Sequence, residues 1–127
     1  MRYSVWFIAA AIVCLLTGML AIFWWMTPSG PPTLLLSHVH LNLLGWATLA
    51  LYGLVHAQFP KLASVRLAAA QFWLALVGAF ALPVGFALPR DHPAHLPFMA
   101  IGTLAAFAAV VLFAVMFFGT VAFSKEG

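Results

Sequence analysis

The residues of this chain that could do chemistry lie in one stretch of an otherwise apolar sequence. The segment SHVHLNLLGWATLALYGLVHAQFP begins at Ser37 and contains His38, His40, Asn42 and His56, with no charged residue. Neutral imidazole is a good ligand for heme iron, copper and zinc. A histidine that reaches to a membrane interface or hydrogen-bonds a neighbouring helix would give the same pattern, so both interpretations stay open at this point.

Helical geometry separates the two neighbouring histidines. Residues two positions apart on an α-helix differ by about 200° in direction, so His38 and His40 point to nearly opposite sides and cannot easily chelate one metal ion together. Such a helix can instead face two separate sites. On the His38 side, Asn42 and Gly45 are candidate cofactor contacts, and the glycine leaves room for either another helix or a flat macrocycle. Trp46 is a candidate cofactor contact as well, since it and Trp73 could form a wall of a cofactor site.

The composition requires lipid as solvent. Of 127 residues, 66% are hydrophobic and 6% are charged, which is far outside the range of a soluble domain. The formal net charge of +3 comes from scattered basic residues that form no basic patch, so we expect no nucleic-acid partner. The two carboxylates, Asp91 and Glu126, lie outside the apolar stretches, and the single Cys14 cannot form an internal disulfide.

Four stretches are long enough to span a bilayer, which takes about 20 apolar residues in a helix. They are residues 5–26, 34–59, 67–88 and 96–123. The proline- and glycine-containing segments between them end the helices, and such short connections make consecutive helices antiparallel neighbours. We therefore predict an all-α integral membrane protein, a single four-helix bundle of residues 1–127 with up-down topology.

The distribution of positive charge predicts an orientation. One side of the predicted membrane holds Arg2, Lys61, Arg66 and Lys125. The other side holds Arg90, beside Asp91. By the positive-inside rule, both termini lie in the cytoplasm, and the chain is expected in a bacterial inner membrane.

This orientation sorts the histidines by depth. His38 and His40 begin the second span, so they lie near the outer face, and His92 and His95 lie in the outer loop. His56 lies roughly 24 Å further along the helix from His40, close to the cytoplasmic end. We expect His56 and His95 to be interfacial.

The second span resembles the histidine-bearing helix near the end of subunit I in heme-copper oxidases, especially the C-type oxidases and their nitric oxide reductase relatives. The residues that carry the resemblance are HVHLNLLGW, from His38, and YGLVHAQFP, from Tyr52. The other spans match only as apolar helices. In that family the first histidine of the pair binds the high-spin heme of the reaction site, and the second binds the low-spin heme. The resemblance implies these roles for His38 and His40.

The chain also departs from the family. The family's copper ligands and the second axial histidine of the low-spin heme come from other helices, and the first, third and fourth spans contain no histidine. Oxygen reduction and proton pumping are therefore not implied. The family's subunit is built of three arcs of four helices, with the metal-binding helix second in each arc. A homotrimer of this chain would rebuild that arrangement, and a homodimer would also supply a second ligand.

These observations together predict a membrane protein that binds heme b, because no Cys-x-x-Cys-His motif is present for covalent attachment. Its role would be electron transfer or binding of O2 or NO, with a respiratory-chain redox partner. Whether it is an enzyme stays open, and a copper ion is a further option. The alternatives are a non-catalytic accessory or assembly subunit of a respiratory complex, and a small copper-binding membrane protein.

Overall fold

The structure is a computed structural model that describes residues 2–64 and 66–122. Every regular element within these residues is helical, and four helical segments are long and apolar enough to cross a membrane. The all-α class is thus confirmed, and these four segments indicate an integral membrane protein. Phe123, the predicted end of the fourth span, lies outside the described residues, as do Lys125 and Glu126.

The four long segments have the following bounds. The first is α1, Tyr3–Trp25, and the second is Leu34–Gln58, made of α2 (Leu34–His40), a π-helical segment (Leu41–Thr48) and α3 (Leu49–Gln58). The third is α5, Leu67–Ala87, and the fourth begins as α6, His95–Phe117, which continues as a π-helical turn at Phe118–Ala122. A one-turn helix, α4 (Pro60–Ala63), lies in the connection before α5, with Pro60 at its first position, where proline is tolerated.

The first two spans run in opposite directions and are in close contact. Near the start of α1, the Phe7 ring stacks on His56 of α3 at a centroid distance of 5.3 Å. Near the end of α1, the carbonyl oxygen of Gly18 lies 2.8 Å from Nδ1 of His38. Residues early in α1 therefore meet residues late in the second span, which places His38 beside the last third of α1.

The third span packs on both of its neighbours. Ser37 of α2 donates a hydrogen bond to the carbonyl oxygen of Pro83 at 2.7 Å. Nε2 of His56, in α3, forms a hydrogen bond with Oε1 of Gln71 at 2.8 Å. On the α6 side, a Cβ built on Gly102 would lie 2.5 Å from the backbone nitrogen of Leu82. The glycine therefore permits a helix contact too close for any side chain. The buried core lies between α1, the second span and α5, and α6 contributes Ala109 to it.

The outward surface of the bundle is apolar. Large side chains such as Leu20, Leu96, Leu104 and Phe107 are each about 70% exposed. Soluble monomeric proteins rarely expose an apolar surface of this extent to water. Together with the four candidate spans, it indicates that this surface contacts the lipid bilayer.

Candidate functional site

The second span changes from α- to π-helical geometry immediately after His40. The π segment, Leu41–Thr48, contains three of the candidate site residues, Asn42, Gly45 and Trp46. The hydroxyl of Thr48 donates to the carbonyl oxygen of Leu43, five residues back, at 2.7 Å. A π segment is rare and often lies at a functional site, and this one follows directly on the two histidines.

His38 is held by the neighbouring helix. Its Nδ1 lies 2.8 Å from the carbonyl oxygen of Gly18. Because a carbonyl can only accept, the proton is on Nδ1 and the lone pair is on Nε2. A Cβ on Gly18 would lie 3.4 Å from the Cβ of Leu41 and 3.7 Å from Nδ1 of His38, which are ordinary van der Waals distances, so α1 packs closely against His38 here without requiring a glycine.

Asn42 covers one face of the His38 ring. Its Nδ2 donates to the carbonyl oxygen of His38 at 3.0 Å, and lies 3.2 Å from Nδ1 and 3.3 Å from Nε2 of the same residue. An atom nearly equidistant from both ring nitrogens at this range must lie above the ring, since a position in its plane would collide with Cε1. The lone pair of Nε2, which lies in the plane, is therefore not taken by Asn42.

His40 faces a different helix. Its Nδ1–H donates to the carbonyl oxygen of Leu36, one turn back, at 2.9 Å. Its ring stacks on Phe86 of α5 with centroids 4.3 Å apart and planes at 30°. His38 thus faces α1 and His40 faces α5, the separation that helical phase predicts, and the structure does not bring the two imidazoles to one metal position.

A groove of about 630 Å³ lies beside His40. Leu36 and Phe86, the two residues that contact the His40 ring or its Nδ1, also line this groove. Its remaining walls include Leu96 and Met99, and its polar groups include Arg90 and His95. The volume is in the range of small-molecule and cofactor sites.

Gly45 and Trp46 lie in different surroundings. A Cβ on Gly45 would lie 2.5 Å from the Cβ and 2.7 Å from the Sγ of Cys14. The space at Gly45 is therefore taken by α1 rather than by a macrocycle, which decides between the two neighbours that the sequence leaves open. Trp46 is exposed on the outside of the bundle.

His56 lies near the end of its span, where we expect the membrane interface, but its side chain is buried in the bundle rather than exposed there. It is only 2% exposed, because its side chain turns inward between Phe7 of α1 and Gln71 of α5. Sequence reasoning also missed Gln71. The signal available was a single amide side chain in an otherwise apolar third span.

The two outer-loop histidines are held separately. His95, the first residue of α6, is half-buried, and its Nδ1–H donates to the carbonyl oxygen of Gly85 at 2.9 Å. His92 is exposed, and its Nδ1 accepts the backbone N–H of Ala94 at 3.1 Å. Across residues 2–64 and 66–122, no three His, Cys, Asp or Glu residues lie together in a group that could hold a metal ion.

The two candidate ligands have the same chemistry. In His38 and in His40, Nδ1–H is bonded to a backbone carbonyl and Nε2 keeps its lone pair, the arrangement that orients and tunes metal-binding imidazoles. A porphyrin supplies the equatorial ligands of its own iron, so one such imidazole can bind a heme. Comparison of the chain with protein-family models, with curated proteins and with solved structures finds no match.

Proposed function

We propose that this chain is a membrane protein that binds heme b and acts in electron transfer or in binding a diatomic gas, O2 or NO. The observation that supports this most is the shared state of His38 and His40, each with Nδ1–H on a backbone carbonyl and Nε2 free to bind iron. The resemblance of the second span to the histidine-bearing helix of heme-copper oxidases points to the same two residues.

His40 is the better placed of the two ligands. Its ring is half-buried and stacks on Phe86, which also forms a wall of the adjoining groove. That groove offers apolar contacts for a macrocycle, and Arg90 offers a positive charge for its carboxylates. A heme bound there would supply one-electron chemistry and, with a coordination position free, a site for a gas.

His38 would hold a second heme or strengthen the position of α1. Gly18 fixes its tautomer, and Asn42 limits the rotation of its ring. By the resemblance, His38 takes the high-spin role and His40 the low-spin role. The exposed Trp46 lies on the outer surface of one chain, where it would contact a heme only at a contact between copies.

By the resemblance, a second ligand for a six-coordinate heme would come from another copy of the chain; within one chain, His95 and Met99 also line the groove beside His40. A homotrimer is favoured, since it would rebuild three arcs of four helices, and a homodimer would also suffice. Among the described residues of one chain there is no three-ligand group, so a copper ion would need imidazoles from several copies around a symmetry axis.

We infer an up-down arrangement across a bacterial inner membrane, with both ends of the chain in the cytoplasm. Arg2 lines a groove with Gly53 and Ala57, so it lies at the same end of the bundle as the C-terminal end of α3. Arg90 lines the groove with Thr33, at the opposite end. With more basic residues at the Arg2 end, the positive-inside rule puts His38 and His40 near the outer face.

One absorption series tests the heme proposal. The chain is produced with ample heme supply, and spectra are taken oxidised, reduced, and reduced with carbon monoxide. We expect a Soret band that His40→Ala abolishes or shifts, while His92→Ala, which removes an exposed loop imidazole, leaves it unchanged. Arg90→Gln should weaken heme retention without altering the band position.

The other outcomes separate the alternatives. A preparation without porphyrin absorption refutes the proposal. Colourless protein with stoichiometric copper would favour a copper-binding membrane protein, whereas colourless, metal-free protein that copurifies with a respiratory complex would favour an accessory or assembly subunit.

A further inference from the structure

A second groove lies on the outside of the bundle between α1 and α3, at the end opposite to His38 and His40. Its volume is about 440 Å³. The two helices are in contact where Gly53 meets Ile8, since a Cβ on Gly53 would lie 2.8 Å from Cγ1 of Ile8. Ala57 also lines the groove, and its small side chain is exposed there. This groove shares no lining residue with the one beside His40.

The length of the groove corresponds to one leaflet of a membrane. Its lining residues on α1 begin at Arg2 and end at Ile12, and ten residues of helix rise by about 15 Å. The hydrocarbon core of a bilayer is about 30 Å thick, so one leaflet contributes about half of that. A helix from a second copy of the chain would continue through both leaflets. A groove that ends at half depth fits the acyl chain of a lipid better than it fits a neighbouring span.

The lining of the groove has a polar end and an apolar remainder. Arg2 supplies a guanidinium and Ser4 a hydroxyl where α1 begins, and the other lining residues are apolar. Among the described residues the one carboxylate side chain belongs to Asp91, which lies beside Arg90 at the opposite end of the bundle. The exposed Arg2 is therefore left for an external anion, and a guanidinium is well suited to bind a phosphate group.

We propose that this groove binds one anionic phospholipid, with an acyl chain lying over Gly53 and Ala57 and the headgroup phosphate on Arg2. A zwitterionic lipid also carries a phosphate, but its own ammonium group offsets that charge, so an anionic headgroup is preferred. Lys61 and Arg66 lie at the same end of the bundle and add to the positive potential that attracts anionic lipids. The site is independent of any heme, because it lies at the other end of the second span.

Native mass spectrometry of the full chain in detergent tests the charged end of the groove. The protein is titrated with phosphatidylglycerol or with phosphatidylcholine of the same acyl chains, and the dissociation constant of the first bound lipid is measured. We expect phosphatidylglycerol to bind more tightly, and Arg2→Gln to weaken its binding about fivefold, the effect of one basic residue near a membrane surface. The matched control, Arg66→Gln, removes a charge from the same end outside the groove and should leave the constant unchanged.

Ala57→Leu tests the apolar part of the groove. The larger side chain fills the space without entering the core, since Ala57 is exposed, so both lipids should bind more weakly. Ala100→Leu is the control, because Ala100 is an exposed alanine of α6 that does not line the groove.

Three results would overturn the proposal. They are equal binding of the two lipids, equal effects of Arg2→Gln and Arg66→Gln, and equal lipid binding by Ala57→Leu and Ala100→Leu. If Ala57→Leu instead abolishes an oligomer and leaves lipid binding unchanged, the groove belongs to a contact between copies, which also overturns the proposal.

Discussion

Three histidines of this chain donate a hydrogen bond from Nδ1 to a backbone carbonyl, but they differ in which helix carries that carbonyl. In His38 and His95 the Nδ1 proton bonds a backbone carbonyl on another helix, Gly18 and Gly85, at 2.8 and 2.9 Å. In His40 it bonds a carbonyl of its own helix, at Leu36. The first two bonds therefore connect helices as well as fixing a tautomer, whereas the His40 bond only orients its ring. Loss of His40 should accordingly affect ligand binding more than folding.

Gly45 tests how tightly α1 and the second span are packed. A Cβ at this position would lie 2.5 Å from the Cβ of Cys14, an atom attached directly to the backbone of α1, so the helices must move apart. We expect Gly45→Ala to destabilise the folded protein by about 1–3 kcal/mol, measured as the free energy of unfolding in bicelles.

Gly119→Ala is the matched control, because a Cβ there has nothing within 4 Å. The combined variant Cys14→Gly/Gly45→Ala, which moves the side chain from one helix to the other, should lose less stability than the sum of its single changes. Equal stability of Gly45→Ala and Gly119→Ala would contradict the close approach.

At the scale of single residues, the sequence indicates which side chains are special but not what surrounds them. The phase difference between His38 and His40 follows from helix geometry alone. Whether an inward-facing residue such as His56 meets lipid or a neighbouring helix depends on how α1 and α5 are placed around α3. Its partner Gln71 lies fifteen positions away along the chain, and no local pattern connects the two.

Among the elements, the π segment is the feature that periodicity does not reveal. The buried residues of the second span are Leu34, Ser37, Leu41, Gly45, Leu49, Tyr52, Gly53 and His56. On a helical wheel with about 100° per residue, these positions cover an arc of about 160° if the span is an α-helix throughout. If one residue between Leu41 and Gly45 is left out of the count, as a π segment allows, the arc narrows to about 100°. Both arcs form one face, so the sequence is compatible with either geometry, and tertiary packing decides.

Deleting Leu43 should convert the π segment to regular α-helix. A π segment accommodates one extra residue, so removal of this 58%-exposed leucine keeps Tyr52 and His56 facing the core. We expect a folded, monodisperse protein whose thermal unfolding, followed by circular dichroism, stays close to that of the native chain.

The matched control is deletion of Leu51, an equally exposed leucine in α3 (61%). Here no extra residue is available, so every later side chain turns by about 100° and His56 leaves the core. We expect this variant to aggregate or fail to fold. Equal damage from the two deletions would show that the π segment does not carry an extra residue.

A hydrogen bond from a side-chain hydroxyl to a backbone carbonyl connects α2 and α5. Ser37 is 3% exposed and donates to Pro83 at 2.7 Å. We expect Ser37→Ala to cost about 1 kcal/mol of unfolding free energy in bicelles, the range of hydrogen bonds between helices in membranes. Ser29→Ala, in the exposed connection after α1, is the control and should be neutral. Similar values for both would mean that the Ser37 bond contributes nothing net.

At the scale of the molecule, four candidate spans could be predicted from composition because each is long, apolar and bounded by proline or glycine. Their packing could not be predicted, since the sequences of α1, α5 and α6 are almost entirely apolar and no polar face distinguishes the side that packs against the core. The contacts are set instead by where small residues permit close approach, as at Gly102 against Leu82. Such sites are recognised only once the neighbouring helix is known.

The orientation of the bundle depends on charge alone, because its helix contacts are the same whichever end faces the cytoplasm. We expect a membrane-impermeant maleimide to label Ser29→Cys in intact spheroplasts, but Ser64→Cys only after the membrane is permeabilised. Both serines are exposed and lie in connections at opposite ends of the bundle, and the buried Cys14 serves as an unlabelled internal control. The basic residues Lys61 and Arg66 flank Ser64, so the positive-inside rule predicts that it lies in the cytoplasm. The reverse labelling pattern, or labelling of both variants in intact spheroplasts, would refute this orientation and move His38 and His40 away from the outer face.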